Sequence, residues 1–195
     1  MRLSAENSFE WSNGWLDGVA HLPSPNFGSR PQDVVVDLIV VHSISLPPGE
    51  FGWRNVHALF LNQLDWHAHP YFEAIAGMKV SSHFFIDRAG GIWQFVSVDE
   101  RAWHAGRSAF RGRDNCNDFS VGIELEGLEG GDFEPVQYEQ LARLCSALRR
   151  RYPISHVVGH EHVAPGRKFD PGTGFNWPLL RDATRWPTQC FPVLT

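Results

Sequence analysis

The stretch "VVVDLIVVH", Val34 to His42, decides how the rest of the chain is read. Apart from Asp37 it is a continuous run of branched apolar side chains that closes on a histidine. A strand with one wet face alternates apolar and polar residues, whereas a strand covered on both faces has no reason to. The run therefore predicts a central strand of a sheet with a layer packed on each side. His42 then stands at the end of that strand, where a rigid backbone meets an open loop side and functional groups are commonly placed.

The neighbouring segments supply the layers. Upstream, "HLPSPNFGSRPQD" (21–33) is an irregular connection rich in Pro, Ser and Gly. Downstream, "SLPPGEFG" (45–52) is a loop, and "RNVHALFLNQL" (54–64) predicts a short helix with Val56, Leu59, Phe60 and Leu64 on one stripe. "HFFIDRAGGIWQFVSV" (83–98) predicts a hairpin turning at its Gly-Gly pair. In "DFSVGIELEG" (118–127), Val121, Ile123 and Leu125 alternate with Gly122, Glu124 and Glu126, as a strand requires. "EPVQYEQLARLCSALRRRYP" (134–153) predicts the longest helix. Pro135 suits its first turn, and Leu141, Leu144, Cys145 and Leu148 form its buried stripe. Arg149, Arg150 and Arg151 offset the negative end of its dipole, and Pro153 stops it. "HVVGH" (156–160) predicts a last short strand. The expected fold is a single α/β domain, a central mixed β-sheet flanked by helices. Residues 1–12 read as a flexible N-terminal extension, which leaves 13–195 as the domain.

Composition narrows the function. The 195 residues are 43% hydrophobic and 20% charged, with a net charge of −5. A nucleic-acid-binding domain normally carries a basic face, so no nucleic-acid partner is expected. The three cysteines are widely spaced and form no close-set thiolate metal motif. With no apolar leader in "MRLSAENSFEWSNGWLDG" and no membrane-length apolar run, the reading is a cytoplasmic protein with three reduced thiols. No membrane association and no obligate protein partner are expected.

The chemistry concentrates in "GHEHVAPGRKFDPG", Gly159 to Gly172. Of ten histidines, His57, His67, His69, His83 and His156 are accounted for by helix faces, loops and strand packing. His42 and His160 both fall at strand ends, and Asp170 follows His160 across a Pro-Gly turn. Two histidines, one carboxylate and an open position make a catalytic zinc set. Spacing alone does not exclude His162 as the second imidazole. Lys168 lies two residues before Asp170, so on extended chain both point the same way.

Five motifs, "VVHSISLPPGEFG", "AHPYF", "RAWHAG", "CNDFSVGIELEG" and "GHEHVAPGRKFDPG", resemble the AmpD family of N-acetyl-anhydromuramoyl-L-alanine amidases. The resemblance runs from Gly14 to about Asp182, with the motifs in family order. It implies the zinc amidase and peptidoglycan-recognition fold, with one Zn2+ per chain in an open groove. It carries the zinc ligands onto His42, His160 and Asp170, the acid/base role onto Glu124, and stabilisation of developing negative charge onto Lys168. Glu126 shares the strand face of Glu124 and is the alternative base. The implied substrate is a small molecule, a 1,6-anhydro-muropeptide cut between the lactyl group of N-acetylmuramic acid and L-alanine. The implied role is peptidoglycan recycling, which in some bacteria indirectly limits β-lactamase induction.

Ser43, Lys79, Trp103 and Asn115 are the expected substrate-binding residues, Lys79 toward a peptide carboxylate and Trp103 toward a sugar face. At Ser43 and Asn115 the family pattern would have Asn and Arg, so this chain departs from it at two anion contacts. Two rival readings are an amidase of polymeric cell wall and a peptidoglycan-binding domain without catalysis. The second loses a zinc ligand, and all three positions are filled here.

Overall fold

In the computed structural model, which describes residues 9–193, the apolar run forms the strand Leu38–Ile44, paired on both sides and next to one edge of a six-stranded sheet. We label the strands β1 (Ala20–His21), β2 (Leu38–Ile44), β3 (Phe84–Ile86), β4 (Ile92–Gln94), β5 (Ser120–Glu126) and β6 (His156–Gly159). Their order across the sheet is β6-β2-β5-β3-β4-β1. The pairs β6–β2, β2–β5, β5–β3 and β4–β1 are parallel, and β3–β4 is the expected antiparallel hairpin. The sheet is therefore mixed, as the sequence predicts.

β2 begins later than the apolar run. Leu38 pairs with Ser120 and His156, the first residues of both neighbouring strands, so Val34–Val36 have no partner to extend the ladder. Val35 is 53% exposed. β5 is buried at every residue, so its polar face, Ser120, Gly122, Glu124 and Glu126, is enclosed instead of meeting water.

The two faces of the sheet carry different layers. Ile39, Val41, Val121, Ile123, Leu125 and Val157 pack against the long helix α2 (Pro135–Arg151) through Leu141, Leu144, Cys145 and Leu148. Helix α4 (Trp177–Thr184) contributes Trp177 and Leu180 to the same core. The opposite face, with Leu38, Val40 and Val158, is covered by Ala105, Cys116, Phe119 and Val163. A third cluster joins Phe85 and Phe95 to helix α1 (Trp53–Phe60) through Val56, Leu59 and Phe60. α1 stops earlier than the pattern suggests. Asn62 takes the left-handed conformation, and its side-chain amide exchanges hydrogen bonds with Asn26 at 2.8 and 3.0 Å.

The N-terminal reading needs correction where it can be seen. Trp11–Ser12 pair with Trp15–Leu16, and the Trp11 ring packs edge-on to Phe84 and Tyr152. Residues 9–12 thus dock on the domain instead of extending from it, with Phe9 and Trp11 packed against the main core. Residues 1–8 lie outside the described part. Cys116, Cys145 and Cys190 are buried free thiols.

Candidate active site

The parallel register between β2 and β5 sets His42 directly beside Glu124. Both project from the face opposite α2, and His42 Nδ1 lies 4.0 Å from Glu124 Oε1. β6 pairs its last residue, Gly159, with Val41. His160 is therefore delivered next to His42, but from the first position of a helical turn, α3 (His160–Val163), and not from the strand end that the sequence suggested. This turn separates the two candidate histidines. Residues two apart on a helix diverge by about 200°, whereas on extended chain they share a side. His162 Nδ1 accepts the Gly159 N–H at 3.0 Å, and its ring packs against Trp177.

The chain then folds back. Glu161 N–H donates to the Asp170 carbonyl at 3.0 Å, which brings the Asp170 carboxylate to both imidazoles. His42 Nδ1 and His160 Nδ1 are 2.9 Å apart, and Asp170 Oδ2 is 3.2 and 3.1 Å from them. All three residues are buried. Ligands about 2.0 Å from a tetrahedral zinc lie about 3.3 Å from one another, so this triangle has close to the dimensions the ion requires.

The hydrogen-bond polarity around the triangle fits a cation as well. The Cys116 carbonyl can only accept, so Ser120 donates its hydroxyl proton to it at 2.6 Å. Ser120 Oγ must then accept from His104 Nε2 at 3.2 Å. Burial, aided by nearby imidazoles and by Arg30, pushes His104 well below the usual histidine range, so the ring is neutral and its Nδ1 is an acceptor. His42 Nε2, 2.9 Å away, is the donor to it. Burial and the neighbouring His160 push His42 down to about 4, so it too is neutral and its Nδ1 carries a lone pair. The Ala105 carbonyl accepts from His160 Nε2 at 3.2 Å, which turns the other ring nitrogen of His160 toward the same point. Two imidazole Nδ1 atoms and a carboxylate oxygen thus converge on one point. Such a set is stable around a positive ion and repulsive without one.

The triangle lines a groove of ≈ 520 Å³. Leu46, Leu59, Phe60, Ile75, Val80 and Trp103 give it apolar walls, and Glu124 and Lys168 line it together with the ligand set. Phe169, between Lys168 and Asp170, is 57% exposed while both neighbours line the groove, as alternation on extended chain requires. Glu124 is 8% exposed, and its Oε2 is buried with no hydrogen-bond partner. Burial, with the Asp170 charge beside it, raises its pKa well above the ordinary carboxylate value, and Lys168 opposes the shift. The carboxylate is thereby a stronger proton acceptor. Glu126, the alternative base, is engaged elsewhere: it accepts Gly52 N–H at 2.5 Å and Arg88 N–H at 3.1 Å, tying down the end of the 45–52 loop.

The four expected substrate-binding residues divide. Ser43 and Trp103 line the groove, although the Ser43 hydroxyl is buried and unpartnered. Lys79 is exposed and is not part of the groove lining. Asn115, in the left-handed conformation, lies in a separate depression with Gly106, Arg107 and Ser108. His104 was missed as a site residue. It stands in "RAWHAG", but its partner His42 is 62 residues away in sequence, and no spacing rule connects them.

The family model of N-acetylmuramoyl-L-alanine amidase matches residues 31–173. The chain belongs to this family. It is 50% identical over 170 residues to the 1,6-anhydro-N-acetylmuramyl-L-alanine amidase AmpD of Citrobacter freundii, covering 86% of this chain and 91% of that one. Among solved structures, a crystal structure of a selenomethionine AmpD derivative superposes with a TM-score of 0.86 at 49% identity, covering 88% of this chain and 97% of its own. The E. coli amidase AmiD, solved in complex with the substrate anhydro-N-acetylmuramic acid-L-Ala-D-γ-Glu-L-Lys, superposes at 0.58 with 28% identity, covering 91% of this chain and 66% of that one. The family and the mixed-sheet fold expected from the motifs are thus as read. Among the described residues, no helix is long and apolar enough to cross a membrane.

Proposed function

We propose that this chain is a zinc-dependent amidase that cleaves the bond between the lactyl group of 1,6-anhydro-N-acetylmuramic acid and L-alanine in soluble muropeptides. The observation that carries the reading is the convergence of His42 Nδ1, His160 Nδ1 and Asp170 Oδ2 at 2.9–3.2 Å beside Glu124, in the lining of an open groove. AmpD of Citrobacter freundii, at half identity, supports the substrate class.

His42, His160 and Asp170 would hold one zinc. When bound, zinc supplies a Lewis acid for the amide carbonyl and lowers the pKa of the attacking water to roughly 7. Glu124 takes a proton from that water as the carbon–oxygen bond forms. It returns the proton to the alanine nitrogen as the carbon–nitrogen bond breaks, and the lactyl carboxylic acid so formed gives up its own proton to the released amine, leaving a carboxylate and an ammonium. Lys168, which lines the same groove, would offset the negative charge that grows on the carbonyl oxygen. Trp103 offers a flat apolar surface for the sugar. The three unpaired, buried thiols support placement in the cytoplasm.

The test compares substrates. Zinc-loaded protein should release peptide from soluble anhydro-muropeptide far faster than from intact sacculi. Equal or faster turnover of sacculi would assign the activity to polymeric cell wall.

A further inference from the structure

One short loop contacts both histidines of the triangle from behind. Residues Trp103–Gly106 place the His104 ring against His42 and the Ala105 carbonyl against His160. The loop is itself held. Asn117 Oδ1 accepts both the His104 and the Ala105 N–H, at 3.1 and 2.8 Å. Arg167 donates to the Ala105 carbonyl at 2.7 Å and to the Arg107 carbonyl at 2.7 and 3.1 Å. Beneath it, Gly122 makes the room. A Cβ there would meet His104 Cγ at 2.4 Å, so the ring can reach His42 only over a glycine. The Cys116 carbonyl makes Ser120 a donor to it and His104 Nε2 a donor to Ser120, which leaves His104 Nδ1 facing His42 Nε2 at 2.9 Å.

We infer that His104 is a positioning residue for metal capture: it accepts the His42 Nε2 proton, while the Ala105 carbonyl accepts that of His160, so both rings present Nδ1 to the ion before the ion arrives. A ligand imidazole whose other nitrogen is unpaired can rotate or change tautomer, and binding must then reorder it. The Trp103–Gly106 loop removes that freedom from both rings at once. The inference rests on the zinc reading of the triangle.

The test measures zinc affinity by chelator competition on the full chain. His104→Leu removes the acceptor and should weaken zinc about 10- to 100-fold. His104→Asn puts an amide oxygen close to the position of Nδ1 and should restore affinity to within a few-fold of wild type, which a role in packing alone would not produce. In the wild-type protein, 15N-resolved histidine spectra should show protons on Nε2 of His42, His104 and His160, with zinc on Nδ1 of His42 and His160. This arm does not depend on how the variants fold. Unchanged affinity in His104→Leu, an Asn variant as weak as the Leu variant, or a His42 proton on Nδ1 would each overturn the inference. A wild-type protein that binds no zinc would instead overturn the zinc reading itself.

Discussion

His57 offers a prediction whose size follows from its surroundings. It lies on α1, is 4% exposed, and meets Phe85, Trp93 and Phe95 at ring-centroid distances of 5.4, 5.0 and 5.1 Å. Neither ring nitrogen has a hydrogen-bond partner. Burial pushes its pKa down to about 4, against about 6.5 in an unfolded chain. Above pH 6.5 both states hold a neutral ring, and His57 adds no pH dependence. Below it the unfolded chain takes up a proton that the native ring refuses. Stability is then lost as pH falls toward 4, at about 1.4 kcal/mol per pH unit, or about 3 kcal/mol in all. His57→Leu keeps the apolar contacts and removes the titration. Urea unfolding of both proteins at a series of pH values isolates the effect, because every other group cancels in the difference. The variant should gain about 3 kcal/mol relative to wild type between pH 6.5 and 4. Parallel stability curves would show that His57 is hydrated or paired in solution, and would refute the reasoning.

Three further substitutions address the site. Glu124→Gln should fold and bind zinc yet lose nearly all turnover, with zinc content and steady-state rates measured on the same sample. Lys168→Ala should keep its metal and its KM but lose roughly 10²–10³ in kcat, since it acts on charge present only in the transition state; a kcat within about threefold of wild type would return it to the surface. Gly122→Ala drives a Cβ into the His104 ring and should cost about 1–3 kcal/mol in denaturant unfolding while also weakening zinc.

The sequence revealed most about segments whose partners are generic and least about those whose partners are particular. The run ending at His42 predicts a buried strand because any apolar layer satisfies it. Where that strand starts depends on Ser120 and His156, the first residues of its neighbours, and no local pattern contains them. α2 was readable in full, from Pro135 to the arginines at its end, because its caps and stripe are local. The ligand set needed the family motifs to choose His160 over His162, since extended and helical chain place residues two apart differently, and only the fold shows which applies. Glu126 matched Glu124 by alternation, and only the fold shows it occupied by two backbone amides. Lys79 and Asn115 were carried over by position in a pattern, and the fold sets them away from the groove lining.

Whether His42, His160 and Asp170 hold one catalytic zinc is decided by elemental analysis of purified wild-type, His42→Ala, His160→Ala and His162→Ala proteins. Close to one zinc per chain is expected in the wild type and in His162→Ala, and almost none in His42→Ala and His160→Ala. Zinc retained by His160→Ala but lost from His162→Ala would contradict this ligand set.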